Sequence, residues 1–296
     1  MKKLYHIFII VLLAQTTLIA QSNSTVRIKE NFNENWKFKL EDKASFCEIE
    51  LDDSQWRTLD LPHDWSVEAN FSEENSGRNA WLPGGKAWYR KSFMLPENYK
   101  GKSIEIQFDG IYKNASIWVN QNPIGIQHDG YTSFRYDITE LLSFEEQNTI
   151  AVRVENTNVP NCRWYSGSGI YRNVWLNVTS ATHIETWGTF ISTPKVSEDE
   201  ASIKIVSTIK NMDEAKELNI ETRIYNPNGE QVANESSAFN IGNYQSDDIE
   251  QVLKVKKPEL WSVETPEIYT AITLVKAGTQ ILDEYKSTFG IRAIEF

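Results

Sequence analysis

Apolar and polar residues alternate with a period of two along most of this chain. Ile104-Glu105-Ile106-Gln107-Phe108, Ser116-Ile117-Trp118-Val119 and Ile150-Ala151-Val152-Arg153-Val154 each put apolar side chains on one face of an extended segment. Asn120-Gln121-Asn122-Pro123 predicts a turn between two of these strands. No apolar stripe of helical period with its caps is sustained anywhere. A second group of alternating segments follows Ala181-Thr182-His183-Ile184: residues 201–206, 218–225, 248–256 and 268–275, with turn signals at Asn226-Pro227-Asn228-Gly229 and Lys276-Ala277-Gly278. Short strands separated by turn residues predict an all-β chain. The first group reads as a β-sandwich or jelly roll. The second, about 110 residues with six or seven strands, fits an immunoglobulin-like sandwich. The boundary is expected near residues 180 to 184, and a protease cutting near Ser180 to His183 should leave two β-rich pieces.

A length of 296 residues suits two such domains plus a targeting segment. Hydrophobic residues at 40% supply packed cores, and ten Trp and twelve Tyr suit sandwich cores and carbohydrate surfaces equally. A formal net charge of −11 sets a field that repels polyanions, so nucleic acid is not an expected partner. Met1-Lys2-Lys3, an apolar run from Leu4 to Leu13 and Ala20 predict a signal peptide over residues 1–20. Its apolar part is too short for a bilayer core of about 30 Å, so the expectation is export, periplasmic or secreted, with no membrane attachment after cleavage. A retained anchor is the alternative. Cys47 and Cys162 are expected as unpaired buried thiols, with a disulfide as the other possibility. His6, His63, His128 and His183 are too scattered for a zinc site, and no cofactor is expected in this chain.

The residues richest in chemistry run from Arg163 to Trp175, as Arg-Trp-Tyr-Ser-Gly-Ser-Gly-Ile-Tyr-Arg-Asn-Val-Trp. Aromatic faces cover the C–H face of a pyranose, and a guanidinium hydrogen-bonds hydroxyls in a fork, so the run reads as a sugar-facing loop. A glycine turn whose rings pack into a core reads equally well. Leu61-Pro62-His63-Asp64-Trp65 is a second candidate: His63 titrates near neutrality and could meet Asp64 or a sugar hydroxyl, while Pro62 and Trp65 favour a loop pinned by packing. Trp81-Leu82-Pro83-Gly84-Gly85 has the composition of a mobile aromatic loop.

The same two runs closely resemble hallmarks of glycoside hydrolase family 2, the β-galactosidases, β-glucuronidases and β-mannosidases. Trp88-Tyr89-Arg90-Lys91, Phe108-Asp109-Gly110-Ile111-Tyr112, Trp118-Val119-Asn120, Gly130 to Phe134, Pro258 to Ser262, Pro266 to Tyr269 and Phe289-Gly290-Ile291-Arg292 match in the family's order. The wording around residues 62–65 and 165–172 looks most like the β-galactosidase branch. The resemblance implies a jelly-roll sugar-binding domain over residues 25–181, an immunoglobulin-like domain over 182–292, and at 293–296 the start of a lead-in to a TIM barrel. In the family that barrel carries both catalytic glutamates, and β-galactosidases often hold Mg²⁺ or Na⁺ there. By resemblance, then, the chain is the N-terminal portion of a secreted retaining β-glycosidase, inactive alone, without catalytic residues of its own. Its expected partners are a β-linked oligosaccharide or glycan and the barrel. Arg163, Trp164 and Tyr165, with His63 and Asp64, are the expected sugar contacts. Some relatives, glucuronidases among them, carry Asp where Arg163 aligns, which leaves the sugar open. The alternative is a stand-alone carbohydrate-binding module, with an assembly piece as a third reading. Asn33-Glu34 and Asn234-Glu235 repeat the family's Asn-Glu pair without its barrel context, and both are expected as solvated charges, the second in a polar loop.

Overall fold

In the computed structural model the alternating segments pair, entirely antiparallel, into four sheets stacked as two sandwiches. The structure describes residues 26–157 and 164–294, so the predicted signal segment, Cys162 and Arg163 lie outside the described residues. The first sandwich is built from β1 (Ile28–Asn31), β2 (Trp36–Lys39), β3 (Arg57–Leu59), β4 (Gly85–Phe93), β5 (Ser103–Phe108), β6 (Ala115–Val119), β7 (Asn122–Gln127), β8 (Phe134–Asp137), β9 (Asn148–Asn156) and β10 (Val174–Thr179). One sheet has the order β1-β10-β5-β8 and the facing sheet β3-β2-β4-β9-β6-β7.

The period of two places the core between them. Ile104, Ile106 and Phe108 of β5 and Val174, Leu176 and Val178 of β10 face Ile117 of β6 and Ile150, Val152 and Val154 of β9. On the outer side of the second sheet, Trp88 stacks on Trp118 at 5.0 Å and Phe46 meets Trp56 at 4.7 Å. Arg90 is buried, with Nε on Asp53 at 2.9 Å and Nη1 on the carbonyls of Phe46 and Glu48. The Trp88-Tyr89-Arg90 block is therefore structural. Cys47, expected to be buried, is half-buried with a free thiol.

The second sandwich contains β11 (Thr182–Val196), β12 (Glu200–Asn211), β13 (Lys216–Tyr225), β14 (Gln231–Ile241), β15 (Gln245–Lys256), β16 (Tyr269–Ala277) and β17 (Gln280–Phe289), as sheets β11-β12-β15 and β14-β13-β16-β17. Asn234 and Glu235 sit inside β14 and not in a loop, because its polar Asn, Glu and Ser residues are paired along their whole length with β13. Glu34 and Glu235 are both exposed. Gly290 allows the last described stretch to lie on Trp261, since a Cβ there would come within 2.9 Å of the indole, and Arg292 caps the same ring at 4.7 Å.

The junction is not an open linker. Only Ser180 and Ala181 separate β10 from β11, and Thr182, His183 and Ile184 are buried at once. Ser180 Oγ donates to Leu282 O at 2.7 Å, and His183 Nδ1 lies 2.8 Å from Ser180 O. Arg135 reaches Glu105 at 3.3 Å within the first sandwich and Glu185 at 3.3 Å in the second, while Lys210 reaches back to Asp137 at 3.1 Å. A protease needs exposed, pliable backbone, so the expected cut near Ser180 to His183 is opposed by this packing.

Candidate functional site

Residues 164–173 follow β9 and lead into β10 across one end of the first sandwich, where three backbone segments converge. Residues 61–65 run beside them: His63 N–H donates to Ile170 O at 2.8 Å and Trp65 N–H to Ser168 O at 3.1 Å. Tyr112 and Gly169 exchange a pair of backbone hydrogen bonds, both 2.9 Å. Gly169 is required at this crossing. Its φ is +128°, and a Cβ would lie 2.4 Å from the Tyr89 hydroxyl and 2.6 Å from His63 O.

Asp64 holds the two segments together. Its Oδ1 accepts the backbone N–H groups of Ser66 at 3.0 Å and Ser168 at 2.8 Å, and its Oδ2 accepts the Tyr165 hydroxyl at 2.5 Å. Burial, reinforced by that carboxylate, pushes the Tyr165 hydroxyl well above the usual phenol range, so it remains a donor. Below, the buried Ser168 Oγ is shared with Ser66 at 2.7 Å and Asn156 at 2.8 Å.

His63 also faces the protein. It is 7% exposed, packs edge-on against Phe38 at 4.6 Å and places Nδ1 2.8 Å from the Tyr89 hydroxyl. Its Nε2 lies 3.3 Å from Glu68 Oε1, close enough for charge attraction but without hydrogen-bond geometry. Burial lowers the pKa of His63, and Glu68 offsets this only in part, which favours the neutral ring at pH 7. With these partners His63 and Asp64 brace the loop, as the pinned-loop reading of Pro62 and Trp65 has it, and packing against Phe38 and Tyr89 leaves His63 little open surface.

The open surface belongs to two rings. Trp164 is 62% exposed and its Nε1–H donates to the Tyr131 hydroxyl at 3.3 Å; Tyr131 is 50% exposed and meets Tyr112 edge-on at 5.4 Å. Asp129 sets Tyr131 in place by accepting the N–H groups of Tyr131 at 2.8 Å and Thr132 at 2.7 Å. Gly130 lets Tyr112 approach, since a Cβ there would lie 2.2 Å from the ring, and its carbonyl accepts the Tyr171 hydroxyl at 2.8 Å. Pro62, Asp109, Ser133, Tyr171, Arg172 and Asn173 line a cleft of about 260 Å³, which Tyr171 links to the turn before Tyr131 through Gly130 O.

Trp164 and Tyr165 thus stand in one place with His63 and Asp64, in different roles. Arg163 lies outside the described residues. The sequence places Arg172 in the 163–175 run and Tyr131 in the Gly130 to Phe134 block without making either a sugar contact; the exposed Arg172 guanidinium edges the cleft with Nη1 3.4 Å from Asp109 O. Gly110 carried the signal, because a Cβ there would touch Arg172 Cδ at 2.9 Å and the Tyr171 ring at 3.0 Å.

Residues 36–184 match the family described as glycosyl hydrolase 2 galactose-binding domain-like, and residues 182–292 the one described as glycosyl hydrolases family 2. A β-galactosidase of Bacteroides ovatus is 40% identical over 270 residues, covering 90% of this chain and 32% of the relative. A putative β-glucuronidase of Formosa agariphila is 38% identical over 270 residues, covering 90% of this chain and 25% of the relative. Among solved structures, a glycosyl hydrolase family 2 member from Bacteroides cellulosilyticus superposes with a TM-score of 0.86 at 39% identity, covering 90% of this chain and 36% of that one. The chain therefore spans about a third of the length of the relatives it matches.

Proposed function

The chain belongs to glycosyl hydrolase family 2, and we propose that it supplies the sugar-binding and supporting part of an exported β-glycosidase, a β-galactosidase in the first instance, that releases terminal β-linked sugars. The observation that carries this reading is the exposed Trp164-Tyr131 pair, with Arg172 edging a cleft lined by Pro62, Ser133 and Tyr171. A pyranose stacks its C–H face on such rings, and a guanidinium at the rim donates to its hydroxyls. Arg163, next to Trp164 in the chain, is a second donor in this scheme. Trp164 and Tyr131 also exclude water from one side of the sugar.

Retaining hydrolysis needs two carboxyl groups about 5 to 5.5 Å apart on a rigid scaffold, one as nucleophile and one as acid and base. In the proposed enzyme a catalytic domain outside these two sandwiches provides them, consistent with relatives roughly three times as long. The segment over residues 1–20, with its basic start and short apolar run, directs export.

Two measurements test the proposal. Titration calorimetry with a β-galactoside should give binding to this chain that weakens about tenfold or more in Trp164→Ala, a loss of about 1.4 kcal/mol. Purified chain should leave a chromogenic aryl β-galactoside unhydrolysed until a family catalytic domain is supplied. Turnover by the chain alone that disappears on replacing one of its Glu residues would overturn this division of labour. Binding without turnover, even beside a catalytic domain, would assign the chain as a stand-alone binding module.

A further inference from the structure

A second groove lies where the two sandwiches meet. It has a volume of about 360 Å³ and runs over the outer face of β1, β10 and β5 to the edge of β17. Its floor is the buried amides of Gln107 and Asn177, joined to each other at 3.1 Å, with Gln107 donating in turn to Asp109 at 2.7 Å. One wall is Tyr285. The other is Trp187, which is 51% exposed.

The position of Trp187 is imposed by an irregular backbone. In β11, Glu185 to Gly188 stand opposite Thr208 alone, a bulge in the pairing with β12. Trp187 itself has φ +63°, the left-handed region that a Cβ disfavours. Its N–H donates to the Tyr285 hydroxyl at 3.0 Å, and the Arg135 guanidinium sits 5.5 Å from the ring. A large exposed aromatic ring in an unfavourable backbone conformation, lining one groove with two buried amides, is unexplained by core packing.

The charges at the rim select the ligand further. Lys29 and Lys286 line the mouth, and among the described residues neither has a carboxylate within 4.0 Å; Lys29 lies over the Trp175 ring at 4.5 Å. Arg27 is balanced by Asp283, while Glu284 at the rim and Asp109 behind the floor amide contribute opposing charges. The mouth therefore presents two ammonium groups without ion pairs among the described residues, on a chain whose net charge is −11.

The geometry points to a binding site for an acidic oligosaccharide, with a pyranose ring on Trp187, its hydroxyls on the Gln107 and Asn177 amides, and its carboxylate between Lys29 and Lys286. This is a second site beyond the proposed Trp164 site. Titration calorimetry with trigalacturonate and with its carboxyl-reduced neutral counterpart tests it, in the wild-type chain and in Trp164→Ala. Trigalacturonate should bind both chains alike, and the neutral trisaccharide at least fivefold more weakly. Trp187→Gly should lower affinity tenfold or more without lowering the melting temperature, because glycine accepts the left-handed backbone. Lys29→Gln combined with Lys286→Gln should lose the preference for the acid. No binding to the wild-type chain, equal binding of the neutral trisaccharide, or a fall in melting temperature that accounts for the loss in Trp187→Gly would overturn the assignment.

Discussion

Arg27 and Asp283 lie 256 residues apart and close on each other as a bidentate ion pair, Nε to Oδ1 at 3.0 Å and Nη2 to Oδ2 at 2.6 Å. Asp283 is wholly buried in the second sandwich; its Oδ2 also accepts the Ile184 N–H at 2.8 Å, and Arg27 donates in addition to Ile184 O. One guanidinium just ahead of β1 thus ties the first sandwich to both β11 and β17.

Removing that guanidinium strands a buried carboxylate. Arg27→Ala is expected to cost about 3 to 5 kcal/mol, the usual consequence of breaking a buried pair from one side. Scanning calorimetry should show the second sandwich melting earlier, and Asp283→Asn, which keeps a polar group there without the charge, should recover part of the loss in the Arg27→Ala background.

Gly169→Ala is expected to destabilise by more than about 2 kcal/mol, because it adds backbone strain at φ +128° to a collision with Tyr89 and the His63 carbonyl. Denaturant titration should show a lower midpoint with an unchanged slope.

Neighbouring rings at the site should separate cleanly. Tyr165→Phe removes a donor to the Asp64 carboxylate and should cost about 1.5 to 3 kcal/mol. Trp164→Ala, at an exposed position, should change stability by no more than about 0.5 kcal/mol while sugar binding falls. Melting temperature and affinity measured on the same preparations check both.

Stability should decline as pH falls from 7 to 5. Burial lowers the pKa of His63 and of His183, and the Arg27 charge lowers His183 further. Between the folded values and the unfolded value of about 6.5 the unfolded chain binds more protons, so stability rises with pH through this window and is lost on acidification. His183→Gln should flatten the slope of melting temperature against pH. A separate loss is expected at lower pH, below the ordinary aspartate value of 3.8, as Asp42, held low by hydrogen bonds from Arg153 and Trp88, is finally protonated.

The strands legible in the sequence were those with one apolar face, such as β5, β6 and β9, because alternation reports directly which face a sheet buries. β14 was missed because neither of its faces is strongly apolar: its residues are held by pairing with β13, a contact that local pattern does not encode. Of the site, Trp164 and Tyr165 were legible from their place among glycines. Tyr131 and Arg172 were not, since their proximity depends on Gly130 and Gly110 allowing distant segments to approach.

Sequence alone thus determined that this chain is all-β, where most core residues fall, and which loops carry rings and guanidinium groups. It could not tell what covers the other face of a strand. Ser103, Glu105 and Gln107 alternate with the core residues of β5 and read as solvated, yet all are buried. β11 arrives over them, with Thr186 donating to Glu105 at 2.7 Å. The same bulged strand turns Trp187 outward and forms the junction groove. Period-two patterning is a property of one strand and its own sheet, whereas the docking of two sandwiches joins groups far apart in the chain, so only the tertiary structure decided it.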